Sequence, residues 1–241
     1  MIRFERDGAI ARLTLAAPER RNALTIAAMD EMQVALSEVE SDTALRVLIL
    51  TGEGATFCAG ADFAELESGH RPDLPLTLLS DRIEGLRVPV IAGINGGVYG
   101  AGLDLALACD IRIGTDTLTA QVPAAAIGVH YPGPAIARAQ ARLGQATAAR
   151  LFLAAERLDA AACRTCGIVS ETVPEVALPE RLETLAEGIA ALAPLAVQGM
   201  KRSLVLADDA SARVTACFDS ADHRSALKAR RAKSMAVFEG R

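Results

Sequence analysis

Two short stretches of this chain are suited to presenting bare main chain to a ligand: Phe57-Cys58-Ala59-Gly60-Ala61-Asp62-Phe63-Ala64-Glu65-Leu66 and, further on, Asn95-Gly96-Gly97-Val98-Tyr99-Gly100-Ala101-Gly102. Each follows an apolar, β-like run and opens a helical one. The first N–H groups of a helix have no internal partner, so each loop can aim an unspent donor at the same oxygen. Two donors meeting on one oxygen stabilise negative charge as it develops there. That arrangement is an oxyanion hole, in which a single pre-aimed donor contributes on the order of 3 kcal/mol.

The elements that must position these loops are legible on either side of them. Residues 89–94 read as a buried strand, and 101–109, rich in Leu and Ala, as a helix. The small residues between let the backbone approach a ligand without Cβ obstruction. The first loop repeats the plan, with a strand over 45–51, a turn at Thr51-Gly52-Glu53-Gly54, and Asp62 as N-cap of a short helix over Phe63–Glu67. Upstream, 2–6 and 10–15 alternate around Asp7-Gly8, a hairpin pattern. Thr25 caps a helix that sets Ile26, Met29, Gln33, Leu36 and Val39 near one face. A strand over 110–114 completes a β-then-α series that favours right-handed crossovers and parallel neighbours. After residue 134 the pattern is helical over 134–142, 145–155, 159–166, 177–192, 195–206 and 211–230, with one short β segment at 168–172.

Composition limits the function classes. With 241 residues, 51% of them apolar, and a mean hydropathy of +0.26, the chain can bury a large core and is rich for a soluble monomer, which points to an oligomer. A net charge of −5 and a pI near 5.3 argue against nucleic acid or an anionic membrane as partner. The early charges of Met1-Ile2-Arg3-Phe4-Glu5-Arg6 do not suit a signal peptide, and no apolar run is long enough to span a bilayer, so the expected location is cytoplasmic. Five cysteines do not make a disulfide framework there. Cys163 and Cys166 form a CxxC inside a helix ending at Gly167, without a second Cys or His pair at metal spacing, and packing is the reading for both. No metal site is expected.

Several separated motifs together resemble the enoyl-CoA hydratase/isomerase (crotonase) family over nearly the whole chain. They are Arg21-Asn22-Ala23-Leu24, Cys58-Ala59-Gly60-Ala61-Asp62, Ala108-Cys109-Asp110-Ile111-Arg112, Gly167-Ile168-Val169 with Val173-Pro174, and the stretch from Arg230 to Phe238. The resemblance implies an α/β fold, a spiral of ββα units, in one domain: a core to about residue 190 and a helical oligomerisation region over about 191–241, giving a homotrimer or a hexamer made as a dimer of trimers. It implies an acyl-CoA substrate, with coenzyme A entering as part of that substrate and no separate cofactor. It places the two oxyanion donors at the N–H groups of Ala61 and Ala101, and sets Arg21, Ala23, Ala59, Gly60, Asp62 and Gly100 against the substrate.

The chain departs from the family's hydratases at the proton-handling positions. Those enzymes place one carboxylate two residues past the Gly-x-Gly and a second directly after a later proline, with a water held between. Here the first position is Asp104, a methylene shorter than Glu, and the second is Ala124, after Pro123. His130 and Tyr131, in Gly128-Val129-His130-Tyr131-Pro132-Gly133, are further acid/base candidates. Tyr99 is another, and His70 and His223 sit in polar settings. For the phosphates of coenzyme A the candidates are Arg20 and Arg21, and a C-terminal group of Lys228, Arg230, Arg231 and Lys233. Nominal hydration of a 2-enoyl-CoA, another enolate reaction (isomerisation, decarboxylation or thioester hydrolysis), and a non-catalytic thioester-binding subunit all fit this set. The spacing of Gly97 to Gly102 does not fit a dinucleotide fingerprint.

Overall fold

The computed structural model describes residues 1–205 and 208–241. The hairpin forms as the alternation predicts, with β1 (Ile2–Asp7) and β2 (Ile10–Leu15) antiparallel. After a 3-10 turn at Pro18–Arg20 comes α1 (Ile26–Ser41), capped by the Thr25 hydroxyl, which accepts from Ala28 N at 3.0 Å. Its buried stripe is Met29, Met32, Leu36 and Val39. Gln33, expected on that stripe, lies at its edge and accepts from Arg82 Nη1 instead.

Three strand pairs follow, each followed by a helical segment: β3 (Val47–Gly52) and β4 (Thr56–Cys58) before α2 (Phe63–Glu67) and α3 (Asp73–Gly85); β5 (Val90–Ile94) and β6 (Gly97–Tyr99) before α4 (Ala101–Ala108); β7 (Ile111–Thr115) and β8 (Thr119–Gln121) before α5 (Gly133–Phe152). The first member of each pair joins a six-stranded sheet of order β1-β2-β3-β5-β7-β10, parallel from β2 onward. The second members form a four-stranded sheet of order β4-β6-β8-β9, where β9 is Leu158–Asp159. This is the spiral of ββα turns that the resemblance implies.

The inner strands of the large sheet, β3 and β5 above all, are buried on both faces, which is why they are almost continuous apolar runs, whereas the edge strand β1 alternates and is mostly exposed. Leu13, Leu48, Leu50, Ala92 and Ile94 turn toward α1, α3 and α4; Ile10, Val47, Ile49, Ile91 and Ile113 turn toward α7 (Leu178–Ala190). Between β9 and α7 stand α6 (Ala160–Thr165) and β10 (Glu171–Val173), the latter a little later than the segment expected at 168–172. Cys163 is buried in α6, and burial holds its thiol up near a pKa of about 12.

α5 is interrupted at Gly144, where φ is 78° and ψ 163°, which matches the expected division of 134–155 into two helices. Beyond α7 lie α8 (Pro194–Val205), α9 (Ser211–Asp219) and α10 (Ala221–Ala232). The single helix expected over 211–230 is therefore two. Ser220 leaves helical geometry (ψ 153°) and its hydroxyl caps α10 by accepting from His223 N at 3.0 Å. The helix expected at 195–206 is found to residue 205, and residue 206 lies outside the described residues. α8 is fastened to the body by Lys201, 5% exposed, whose Nζ is 2.8 Å from Asp110 Oδ2 and from Val88 O. These last helices leave Met200, Leu204, Val214, Phe218 and Leu227 exposed.

Candidate active site

The two loops meet because β4 and β6 are parallel neighbours in the small sheet, so the residues just past their C-terminal ends come together. Gly60 and Gly102 make the approach close enough. At Gly60 φ is +96°, and a Cβ there would stand 3.0 Å from Tyr99 O and 3.5 Å from Ala101 N. A Cβ on Gly102 would lie 2.6 Å from Cys58 Cβ and 2.8 Å from Cys58 O. Only glycine fits either position.

Among the described residues, the amides of Ala61 in the first loop and Ala101 in the second have no acceptor. In the first, Leu24 N donates to Gly60 O at 2.8 Å and Asp62 N to Leu24 O at 3.0 Å, an isolated parallel bridge that straddles Ala61 and does not use its N–H. In the second, Ala101 is the first residue of α4, where the N–H has no intrahelical acceptor, while Gly100 N donates to Gln121 O at 2.9 Å and fixes the turn. Ala61 and Ala101 both face one cavity of about 930 Å³.

The supports of the first loop come from far upstream. Asn22, 2% exposed, accepts from Ala17 N at 2.9 Å and donates to Glu53 O and Thr56 O, and Arg21 O accepts from Ala59 N. Asp62 caps α2 through Glu65 N at 3.1 Å and pairs with Arg20 at 2.5 Å, and Glu65 in turn accepts from Ile26 N at the start of α1. The cap by Asp62 is as expected from the sequence, while the loop-holding contacts of Asn22, Arg20 and Glu65 were not legible there.

Among the sequence-predicted residues, Arg21, Ala23, Ala59, Gly60, Ala61, Asp62, Gly100, Ala101, His130 and Tyr131 all line this cavity, as does Ala124. Arg20, His70 and Arg71 stand around it as well, and Phe63, Ile127 and Val129 add exposed apolar surface. His130 is exposed, with Nδ1 2.7 Å from Tyr131 O, and His70 Nδ1 is 2.8 Å from Ser68 Oγ. Tyr131 packs against Phe152, ring centroids 5.2 Å apart. Burial, reinforced by the charge of Asp104, holds its phenol well above the usual value, so it is a neutral proton donor at ordinary pH.

Other candidates lie elsewhere. Tyr99 does not line the cavity, and its hydroxyl is 2.9 Å from Thr119 Oγ1. His223 and the cations Lys228, Arg230, Arg231 and Lys233 also lie off the cavity, on α10 and its C-cap. Cys58 sits beneath the hole, but burial pushes its thiol up to about 12, which removes it as a nucleophile.

Asp104 does not line the cavity either. Its side chain enters the interior, where Arg138 of α5 holds Oδ1 at 2.6 Å. The same guanidinium reaches Glu84 at 3.3 Å and pairs with Asp81, both on α3, while Arg142 holds Glu84 at 2.9 Å. Burial holds the pKa of the Asp104 carboxyl above the usual carboxylate value, only partly offset by the positive charge of Arg138 and by the neighbouring Ser80. Arg138 went unnoticed in the sequence because an Arg in an Ala-rich helix reads as a solvated face. The signal that could have found it is its position on the helix just after the His130-Tyr131 loop.

The enoyl-CoA hydratase/isomerase family model matches residues 5–239. The chain is 34% identical over 216 residues to the probable enoyl-CoA hydratase echA6 of Mycobacterium bovis, covering 87% of this chain and 83% of that one. It is 29% identical over 242 residues to the short-chain-enoyl-CoA hydratase of Clostridium acetobutylicum, covering 94% and 92%. Among solved structures, an enoyl-CoA hydratase/carnithine racemase from Magnetospirillum magneticum superposes with a TM-score of 0.93 at 31% identity, covering 100% of this chain and 96% of that one. The chain belongs to the enoyl-CoA hydratase/isomerase family, and its fold is the crotonase fold.

Proposed function

We propose that this protein is an acyl-CoA thioester enzyme of the hydratase type, adding water to a 2-enoyl-CoA. The observation that carries the reading is the pair of unspent amides, Ala61 N–H and Ala101 N–H, on one cavity. When the oxygen of water bonds to C3 of the enoyl group, negative charge moves onto the thioester oxygen. Two fixed donors stabilise it as it develops. The enolate collapses when the α-carbon takes a proton. Tyr131 is placed to give that proton and to be refilled by the one the incoming water sheds, with Asp104 in the wall behind it. This electrophile is main chain, so the chemistry needs no cofactor besides the coenzyme A of the substrate.

Arg20 and Arg21 suit the phosphates of that coenzyme. The exposed apolar residues of α8 to α10 suit assembly into homotrimers or hexamers, with 191–241 as the oligomerisation region of a single domain. No helix among the described residues is long and apolar enough to cross a membrane, and the reading places the enzyme in the cytoplasm.

One observation favours a second reading. Asp104 is engaged by Arg138, and the resemblance sets Ala124 where hydratases of the family carry a second carboxylate, so the cavity would also suit a subunit that binds thioesters without turning them over. Loss of the enoyl absorbance of crotonyl-CoA, alongside calorimetric binding of the same compound, separates the two. Turnover supports the enzyme, and a fall of about tenfold or more in kcat in Asp104→Ala ties the carboxylate to it. Tight binding without turnover across a panel of enoyl-CoA esters favours the binding subunit.

A further inference from the structure

Arg138 lies outside the oxyanion hole and off the cavity, yet its side chain, 4% exposed, carries a full charge among three carboxylates. Asp81 is 52% exposed and Glu84 24%, so both keep water, and Glu84 also has Arg142. Asp104 is 6% exposed and depends on the guanidinium far more than they do. Arg138 of α5 holds Asp104 Oδ1 at 2.6 Å, and the charge of Asp81 and the Ser80 hydroxyl, both from α3, also act on that carboxyl. The Asp104 charge in turn reaches the phenol of Tyr131, in the loop before α5, and helps hold its pKa up, as does Cys58 at the end of β4.

We propose that Arg138 is a positioning residue for the reaction: it holds the Asp104 carboxylate charged and turned into the interior, so that Asp104 acts on Tyr131 and Tyr131 alone of the two meets the substrate. A guanidinium fixes direction as well as charge, because its donors are set in a rigid plane. With one fork on Asp104 and another on α3, the carboxylate cannot swing to the cavity without abandoning its cation. In the cycle, the Tyr131 O–H bond breaks as the C–H bond at the α-carbon forms. The electron pair left on the phenol oxygen then takes the proton shed by water, and the Asp104 anion nearby keeps the phenolate short-lived.

The inference rests on the enolate reading, and its test separates the two. In a kcat profile against pH, the acid limb reports protonation of Asp104. Arg138→Gln removes a cation that lowers the pKa of that carboxyl, so the limb moves up, by about 1–3 pH units. Arg138→Lys keeps a cation and holds the limb close to its wild-type position. Asp104→Asn abolishes the limb and lowers kcat about tenfold with KM little changed, whereas Tyr131→Phe lowers kcat about a hundredfold or more. The double variant Arg138→Gln with Asp104→Asn leaves neither member of that pair orphaned and serves if Arg138→Gln folds poorly. Absence of an acid limb in the double variant supports the proposal; an acid limb in its wild-type place overturns it.

An unmoved limb in Arg138→Gln, with only a lowered Tm, overturns the proposal. So does Asp104→Asn as inactive as Tyr131→Phe, since Asp104 would then touch substrate itself. If the wild-type protein turns over no thioester, the enolate reading fails and a second readout decides the inference. The chain has two tyrosines and no tryptophan, so in a Tyr99→Phe background tyrosinate absorbance reports Tyr131 alone. Asp104→Asn moves that ionisation to lower pH if the carboxylate acts on Tyr131, and no movement overturns the proposal.

Discussion

The two loops that frame the hole reach the same end by opposite means. The second is local: β6, one hydrogen bond from Gly100 N, and an eight-residue helix whose residues are all buried hold Ala101 in place. The first is assembled from afar. Its helix, α2, has five residues and no buried ones, and Ala61 is held by a bridge to Leu24, by Arg21 O on Ala59 N, and by the Asn22 amide on the turn before β4. One donor is fixed by secondary structure, the other by tertiary contacts across about forty residues of chain, a separation at which loop-closure entropy is already substantial. The first loop should therefore be the easier to loosen.

Substitutions can break or sharpen that contrast. The largest effect is expected where the loops touch. Gly102→Ala drives a Cβ into Cys58, forces the loops apart, and lowers kcat/KM by about a hundredfold or more for a displacement near 1 Å. Next is Asn22→Ala, which strips three hydrogen bonds from a buried turn and costs about 2–4 kcal/mol, read from chemical unfolding. It should also lower kcat, since only the first loop depends on that turn; an unchanged kcat in the folded variant would erase the distinction between the loops. The smallest effect is a null result. Cys58, with its thiol held near 12, should resist alkylation in the native protein while half-buried Cys217 reacts. Labelling of Cys58 in Asn22→Ala but not in wild type would show the first loop lifting away from Gly102.

The same contrast explains what the sequence disclosed. Strands β2, β3 and β5 and helices α1, α4 and α7 were legible because their apolar runs are local, and α1 also because of its Thr25 cap. The small sheet was not: its strands are two or three residues long, too short for any period, and they are defined by pairing with one another. The sequence puts a helical stretch before the strand at 89–94 but could not bound α3, because only Leu79, Ser80 and Ile83 of its thirteen residues are buried. The break at Ser220 was missed because a serine inside an otherwise helical stretch carries no strong stop signal, although its hydroxyl is a good cap.

At the site, the main chain of the two motif loops lines one cavity. The motifs could not say which way Asp104 faces, because that depends on a partner 34 residues away. Alternation and capping reveal elements, while the direction of a buried charge is decided by what lies opposite it.

The pairing of β4 with β6 has a wider consequence. An electrophile made of peptide N–H groups has no side chain to lose, so drift in sequence leaves it standing while the residues around it change freely. In a site of this kind, which bond is made or broken can be retuned by exchanging neighbours such as Ala124, which lines the same cavity as Ala61 and Ala101, with the charge-stabilising centre kept as architecture.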